Sequence, residues 1–227
     1  MRAYMESGFY VLYLILIIGC GCLICLTRPR RRHRVLFGLA CVVLGCGDAF
    51  HLVPRAVGLF TGTLDAPSET LAMWLGIGKL ITSVTMTVFY VLMYLFVFAL
   101  IGRKRSKGLD AAVFGLTAAR IVLCVLPQNG WLSNSSDLLW GVLRNIPFVL
   151  LGVLVIVLAF IHLRKRKPFK LLWLAIVLSF AFYIPVVLFA SAASWVGALM
   201  LPKTVCYLWI CFMGVRERKM NSKAVKS

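Results

Sequence analysis

The chain has 227 residues, of which 62% are hydrophobic and 14% are charged, and its formal net charge is +18. A soluble domain carries about a quarter charged residues, so this composition argues against one and favours a membrane protein. The basic residues are concentrated in short segments between long apolar stretches, which argues against a nucleic-acid-binding surface. We expect these segments to contact the bilayer surface and its anionic lipid headgroups.

The apolar stretches predict seven membrane-spanning helices, because about 20 apolar residues cross the hydrocarbon core. In chain order they lie near residues 8–27, 35–59, 71–101, 109–126, 138–163, 170–190 and 194–214. Basic clusters follow the first, third and fifth helices, at 28–34, 103–107 and 164–170. Since Lys and Arg in short loops stay in the cytoplasm, the N-terminus is expected outside and the C-terminus inside.

The predicted fold is therefore all-α, a polytopic bundle of seven transmembrane helices located in the cell membrane. We expect residues 1–215 to form this single domain and residues 216–227 to form a short basic cytoplasmic tail.

Polar and charged residues also occur inside the predicted helices, in the half away from the basic loops. Asp48, His51 and Arg55 have the spacing i, i+3 and i+7, which places them on one face of the second helix. A charge at the bilayer centre costs about 2.5–3.5 kcal/mol on insertion scales, so such side chains are expected to face the bundle interior or water. The later helices contribute Lys79, Arg120, Arg144, Asn145, Lys203 and Tyr207.

Prolines occur in the same half of four helices, at Pro54, Pro147, Pro185 and Pro202. Each proline removes a backbone donor and frees the carbonyl four residues earlier. The coincidence of prolines and charges at one depth predicts helices splayed around an outward-facing vestibule.

The surplus of cations at this depth predicts that the vestibule binds an anionic ligand or lipid headgroup, in a binding or transport role. Arg55, Lys79, Arg144 and Lys203 would supply the charge, and Arg120 would lie at the rim. Asn145 and Tyr207 complete the predicted ligand-binding set. Asp48 and His51 would orient the cations or carry a proton.

The same residues are also compatible with roles other than anion binding. Arg55, Arg120 and Arg144 are close enough to the membrane boundary to snorkel to lipid phosphates. Asp48 could form a purely structural ion pair with one of the cations. The functional alternatives are an intramembrane lipid-headgroup enzyme with Asp48 and His51 as its acid–base pair, and a membrane sensor or assembly partner that acts through the basic loops.

No cofactor or metal is predicted from the sequence. A catalytic zinc site needs three protein ligands plus an open position, and His51 is the one histidine at a suitable depth. The eight cysteines all fall within apolar stretches, where thiols pack as small hydrophobic groups.

Three segments carry a resemblance to known proteins. The segment Gly47-Asp-Ala-Phe-His-Leu-Val-Pro-Arg55 resembles one in uncharacterised multi-pass membrane proteins of Gram-positive bacteria. Residues 78–90 and 202–207 are similar to the same group, which implies a bacterial membrane protein but no particular activity. Gly47 and Asp48 also show a weaker similarity to the Gly-Asp pair in an early span of lysoplasmalogenase-type membrane hydrolases.

Overall fold

The computed structural model describes residues 2–64, 66–132, 138–189 and 194–224. Three short 3-10 helices connect the longer elements at Pro127–Asn129, Phe169–Leu171 and Ser194–Leu199. The α-helices of the described chain are α1 (Arg2–Leu26), α2 (Arg32–Thr61), α3 (Glu69–Ile101), α4 (Lys107–Val125), α5 (Leu138–Leu163), α6 (Leu172–Phe189) and α7 (Met200–Ala224).

Seven helices are long and apolar enough to cross a membrane, with candidate spans of 19 to 33 residues. The predicted all-α fold is therefore confirmed for the described residues, with seven helices long and apolar enough to span a membrane. The spans indicate an integral membrane protein in contact with a lipid bilayer. The inside–outside orientation and the cell-membrane location stay predictions.

Local sequence signals set several helix ends. Ser68 and Ser106 each accept a hydrogen bond from the backbone N–H three residues later, at 3.3 and 3.2 Å, and so cap α3 and α4. Gly62 and Gly102 follow α2 and α3 with φ angles of 67° and 68°. This left-handed conformation suits glycine and ends each helix there.

The two ends of the bundle differ in charge. The loops after α1, α3 and α5 meet the C-terminal part of α7 at one end, which we call the basic end. There Arg34 of α2 bonds Glu217 of α7 at 2.9 Å, and Arg166 donates to the carbonyl oxygen of Leu100 at 3.2 Å. The opposite half of the bundle, which contains the start of α1, is called the distal half.

The first and last helices are longer than predicted. Helix α1 begins at Arg2 rather than near residue 8, which brings Glu6 into the bundle. Helix α7 continues to Ala224, so residues 216–224 of the predicted tail are helical and Glu217 is buried. Apolar length measures the hydrocarbon crossing, whereas backbone hydrogen bonding continues a helix beyond it into the headgroup layer.

The prolines do not act alike. Pro54, Pro147 and Pro185 lie inside α2, α5 and α6, as predicted. Pro202, however, lies in the first turn of α7, because the preceding residues form the 3-10 helix Ser194–Leu199. The first N–H groups of a helix have no intrahelical acceptor, so Pro202 frees no carbonyl within α7.

Helix α3 is at the centre of the packing and contacts α2, α4 and α5. Its Tyr90 packs edge-on against Phe148 of α5 and is tilted against Phe180 of α6, with ring centroids 5.3 and 5.5 Å apart. These buried rings form the apolar floor beneath the polar residues of the distal half.

Candidate functional site

Close packing of α2 against α3 positions His51 and Lys79. A Cβ on Gly78 would overlap the carbonyl oxygen of Phe50 and crowd the Cα of His51, so this approach requires glycine. The same Phe50 carbonyl lacks its helical donor because of Pro54. His51 and Lys79 lie within electrostatic range of each other, and the buried Nδ1 of His51 has no hydrogen-bond partner among the described residues.

Arg120 of α4 lies deep inside the distal half, with 1% of its surface exposed. Its Nε donates to Oγ1 of Thr87 at 3.0 Å, and its Nη1 donates to Oδ1 of Asn145 at 3.0 Å and to the backbone carbonyl of Arg144. The guanidinium carbon lies 4.0 Å from the ring centroid of Phe148. Arg120 is therefore an interior residue. The sequence predicted a position at the rim, with snorkelling to lipid phosphates as the alternative, but uncharged acceptors on α3 and α5 hold its guanidinium inside the bundle.

Asn145 connects three helices through one amide. Its Oδ1, which accepts from Arg120, also accepts from the hydroxyl of Tyr183 on α6 at 2.8 Å. Its Nδ2 donates to the carbonyl oxygen of Gly141 at 2.7 Å. Both ends of the amide are thus occupied, and the side chain orients Arg120 from within the bundle.

Lys203 of α7 is the second buried cation of the distal half, with 7% of its surface exposed. Its Nζ donates to Sδ of Met86 at 3.5 Å and lies 4.6 and 5.7 Å from the ring centroids of Tyr183 and Tyr207. The carboxylate of Asp48 attracts it electrostatically. Lys203 therefore occupies an aromatic cage with one nearby negative charge.

Asp48 and His51 lie in different surroundings although they are one turn apart on α2. Oδ2 of Asp48 accepts a hydrogen bond from the hydroxyl of Tyr13 on α1 at 2.6 Å, and Lys203 is its nearby cation. No hydrogen bond in the described part of the chain joins Asp48 to His51. The acid–base alternative stays a prediction.

Arg55 has a counter-charge that the sequence analysis missed. Its Nε and Nη2 donate to Oε1 of Glu6 at 3.1 and 3.0 Å, and its Nε also donates to the hydroxyl oxygen of Tyr10 at 2.9 Å. Tyr10 in turn donates to Glu6. The predicted first helix begins near residue 8, so Glu6 is not among its residues.

Arg144 of α5 contacts two residues of the α4–α5 connection at the distal end of the bundle. Its Nη1 donates to Oδ1 of Asn129 at 2.7 Å, and its guanidinium carbon lies 4.3 Å from the ring centroid of Trp131. Nε1 of Trp131 donates to the carbonyl oxygen of Cys124 at 2.7 Å, near the end of α4. Arg144 also lies within electrostatic range of Lys79.

The predicted ligand-binding residues divide by depth. The buried residues are packed among other side chains rather than lining an open vestibule. They are Arg120, Asn145, Lys203 and Tyr207, whereas Arg55, Lys79 and Arg144 are partly exposed.

The sequence analysis missed several contributors to this site, including Glu6, Tyr13, Asn129 and Tyr183. The acidic Glu6 just before an apolar stretch was a usable signal, because carboxylates are rare in this chain. The other three are common residue types in spans and loops, and only their contacts distinguish them.

No group of three or more His, Cys, Asp or Glu residues in the described ranges is placed to hold a metal ion. No protein-family model, curated protein or solved structure matches the chain. The resemblances found in the sequence stay predictions.

Proposed function

We propose that this integral membrane protein binds an anionic group in its distal half and serves a binding or transport role. The observation that supports this most strongly is Arg120, a guanidinium with 1% exposure whose hydrogen-bond acceptors are all uncharged. Lys203, which is also buried, lies within electrostatic range of it. Two buried cations in the same half of the bundle favour a negatively charged ligand.

The described distal half carries more positive than negative charge within the bundle. Among its buried and partly buried side chains the carboxylates are Asp48 and Glu6, and both already accept hydrogen bonds from other residues. The buried and partly buried cations of the described distal half outnumber these two carboxylates. The cations are Arg55, Lys79, Arg120, Arg144 and Lys203.

This surplus is costly in a membrane. Moving an ion out of water into a protein interior costs several kcal/mol even after relaxation. Hydrogen bonds to uncharged acceptors, such as the 3.0 Å bonds of Arg120, offset part of that cost. A bound anion would offset the remainder and would bring opposite charge to both buried cations.

The arrangement by depth suggests a route for the anion. Lys79 and Arg144 are partly exposed and lie within electrostatic range of each other, so they would make the first contact. Arg120 and Lys203 lie deeper and would bind the anion after side chains of the distal half separate. By the positive-inside rule, this entry faces the outside of the cell.

Thermal unfolding of the detergent-purified protein against a panel of anions tests the proposal. Chloride, sulfate, inorganic phosphate, acetate and glycerol phosphate are compared at constant ionic strength. An anion at about 100 times its Kd stabilises the folded state by about 2.7 kcal/mol. For a chain of this length, that corresponds to a rise in Tm of roughly 5–10 °C.

Three variants identify the site. Lys79→Met and Lys203→Met remove a distal charge and are expected to lose the anion-dependent rise, whereas Lys203→Arg keeps the charge and retains part of it. Lys165→Met removes an exposed charge at the basic end and serves as the matched control. Equal rises in all variants, or no rise with any anion in the wild type, would contradict the proposal.

A further inference from the structure

We propose that the basic end contains a discrete binding site for the phosphate headgroup of an anionic membrane lipid. A cavity of about 340 Å³ opens there, between the ends of α2, α3 and α7 and the α5–α6 connection. Both basic and apolar side chains line it. The basic residues are Arg31, Arg166 and Lys167, and the apolar residues include Leu100, Phe169 and Met220.

Glu217 is the carboxylate that lines this cavity, and the neighbouring Arg34 already balances its negative charge. Oε2 of Glu217 accepts a hydrogen bond from Nε of Arg34 at 2.9 Å, and Nε2 of His33 lies 3.3 Å from Oε1 of the same carboxylate. Both side chains of the Arg34–Glu217 pair are buried. Glu217 therefore does not cancel the three cations of the wall, and the cavity is positively charged.

The cavity lies at the ends of candidate membrane spans, where we expect the hydrocarbon core to meet the headgroup layer. Leu100, Phe169 and Met220 belong to the candidate membrane spans, whereas Arg31, Arg166 and Lys167 lie just outside them. A lipid presents a phosphate at the level of the basic side chains and glycerol and acyl carbons at the level of the apolar side chains. A soluble phosphate would leave the apolar side chains without a partner, so the geometry favours a lipid.

One basic group is already fixed in position. Nη1 of Arg166 donates to the carbonyl oxygen of Leu100 at 3.2 Å, which holds the guanidinium over the end of α3. A headgroup that bridges Arg166 and Arg31 would join segments that are distant in sequence. Lipid binding is therefore expected to stabilise the bundle as a whole, because a ligand that binds only the folded state shifts unfolding towards higher temperature.

Lipid titration of the full-length protein in a neutral detergent tests this site. Phosphatidylglycerol and phosphatidylcholine are added to the micelles, and bound lipid is counted by native mass spectrometry. Arg31→Gln and Lys167→Gln are each expected to weaken phosphatidylglycerol binding about fivefold, since one basic group near a membrane surface is worth about 1 kcal/mol. Both positions are exposed, so the variants are expected to fold like the wild type.

Lys104→Gln is the matched control, because Lys104 is an exposed cation at the same end of the bundle and does not line the cavity. The dissociation constant of the Lys104→Gln protein for phosphatidylglycerol is expected to differ from that of the wild type by less than about twofold. An equal loss in Lys104→Gln would show general surface attraction and overturn the proposal. Phosphatidylcholine binding as tight as phosphatidylglycerol binding would also overturn it. So would stabilisation by soluble glycerol phosphate, in lipid-free micelles, that is lost in Arg31→Gln and Lys167→Gln.

These results are independent of the distal anion site. Lys79→Met and Lys203→Met are expected to leave phosphatidylglycerol binding unchanged, because their side chains lie in the other half of the bundle. Failure of one proposal is thus distinguishable from failure of the other.

Discussion

Replacing Glu217 with glutamine is expected to destabilise the basic end strongly, because it removes the charge that compensates buried Arg34. The side chains of Arg34 and Glu217 are 4% and 9% exposed, and Nε and Oε2 are 2.9 Å apart. Loss of one partner from a buried ion pair costs about 3–5 kcal/mol, since the remaining charge stays buried. At about 2–4 °C for each kcal/mol in a chain of this size, Tm should fall by roughly 6–20 °C.

A double-mutant cycle separates the loss of this ion pair from a general weakening of α7. Arg34→Met combined with Glu217→Leu removes both charges and is expected to recover much of the lost stability, because an apolar pair needs no compensation. Arg216→Gln changes an exposed residue on the same helix and should shift the free energy of unfolding by no more than about 0.5 kcal/mol. Thermal unfolding in detergent, followed by helical circular dichroism, is measured for the wild type, Glu217→Gln, Arg216→Gln, and Arg34→Met and Glu217→Leu singly and combined. Additive losses in the double variant, or a Glu217→Gln loss as small as that of the control, would refute the reasoning.

Two further substitutions, together with one control, test the packing around the distal site by the same unfolding measurement. Gly78→Ala should cost about 1–3 kcal/mol, because its Cβ would overlap the carbonyl of Phe50 and force α2 away from α3. Gly115→Ala, with nothing within 4 Å of its Cβ, should instead gain about 0.5–1 kcal/mol, so similar effects at both glycines would contradict the packing argument. Tyr13→Phe removes the hydrogen bond to Asp48 and should cost about 1–3 kcal/mol. A Tyr13→Phe protein as stable as the wild type would show that Asp48 finds another donor.

Much of the architecture follows from the sequence by local rules. The seven spans follow from apolar length, and helices α2 and α3 end at Gly62 and Gly102 because glycine adopts positive φ without strain. The depth at which cations occur is also local information, since it depends on position along a span. The sequence by itself therefore determined the number of spans, several of their ends and the polar half of the bundle.

The tertiary structure decided which side chains meet. Apolar length does not specify how each helix is rotated about its axis, so it could not show that Arg120 faces inward between α3 and α5. The partners of Arg55 and Arg34 are Glu6 and Glu217, which lie 49 and 183 residues away in sequence. Contacts over such separations arise from the packing of all the helices together, because burying each apolar face fixes the rotation of its neighbours.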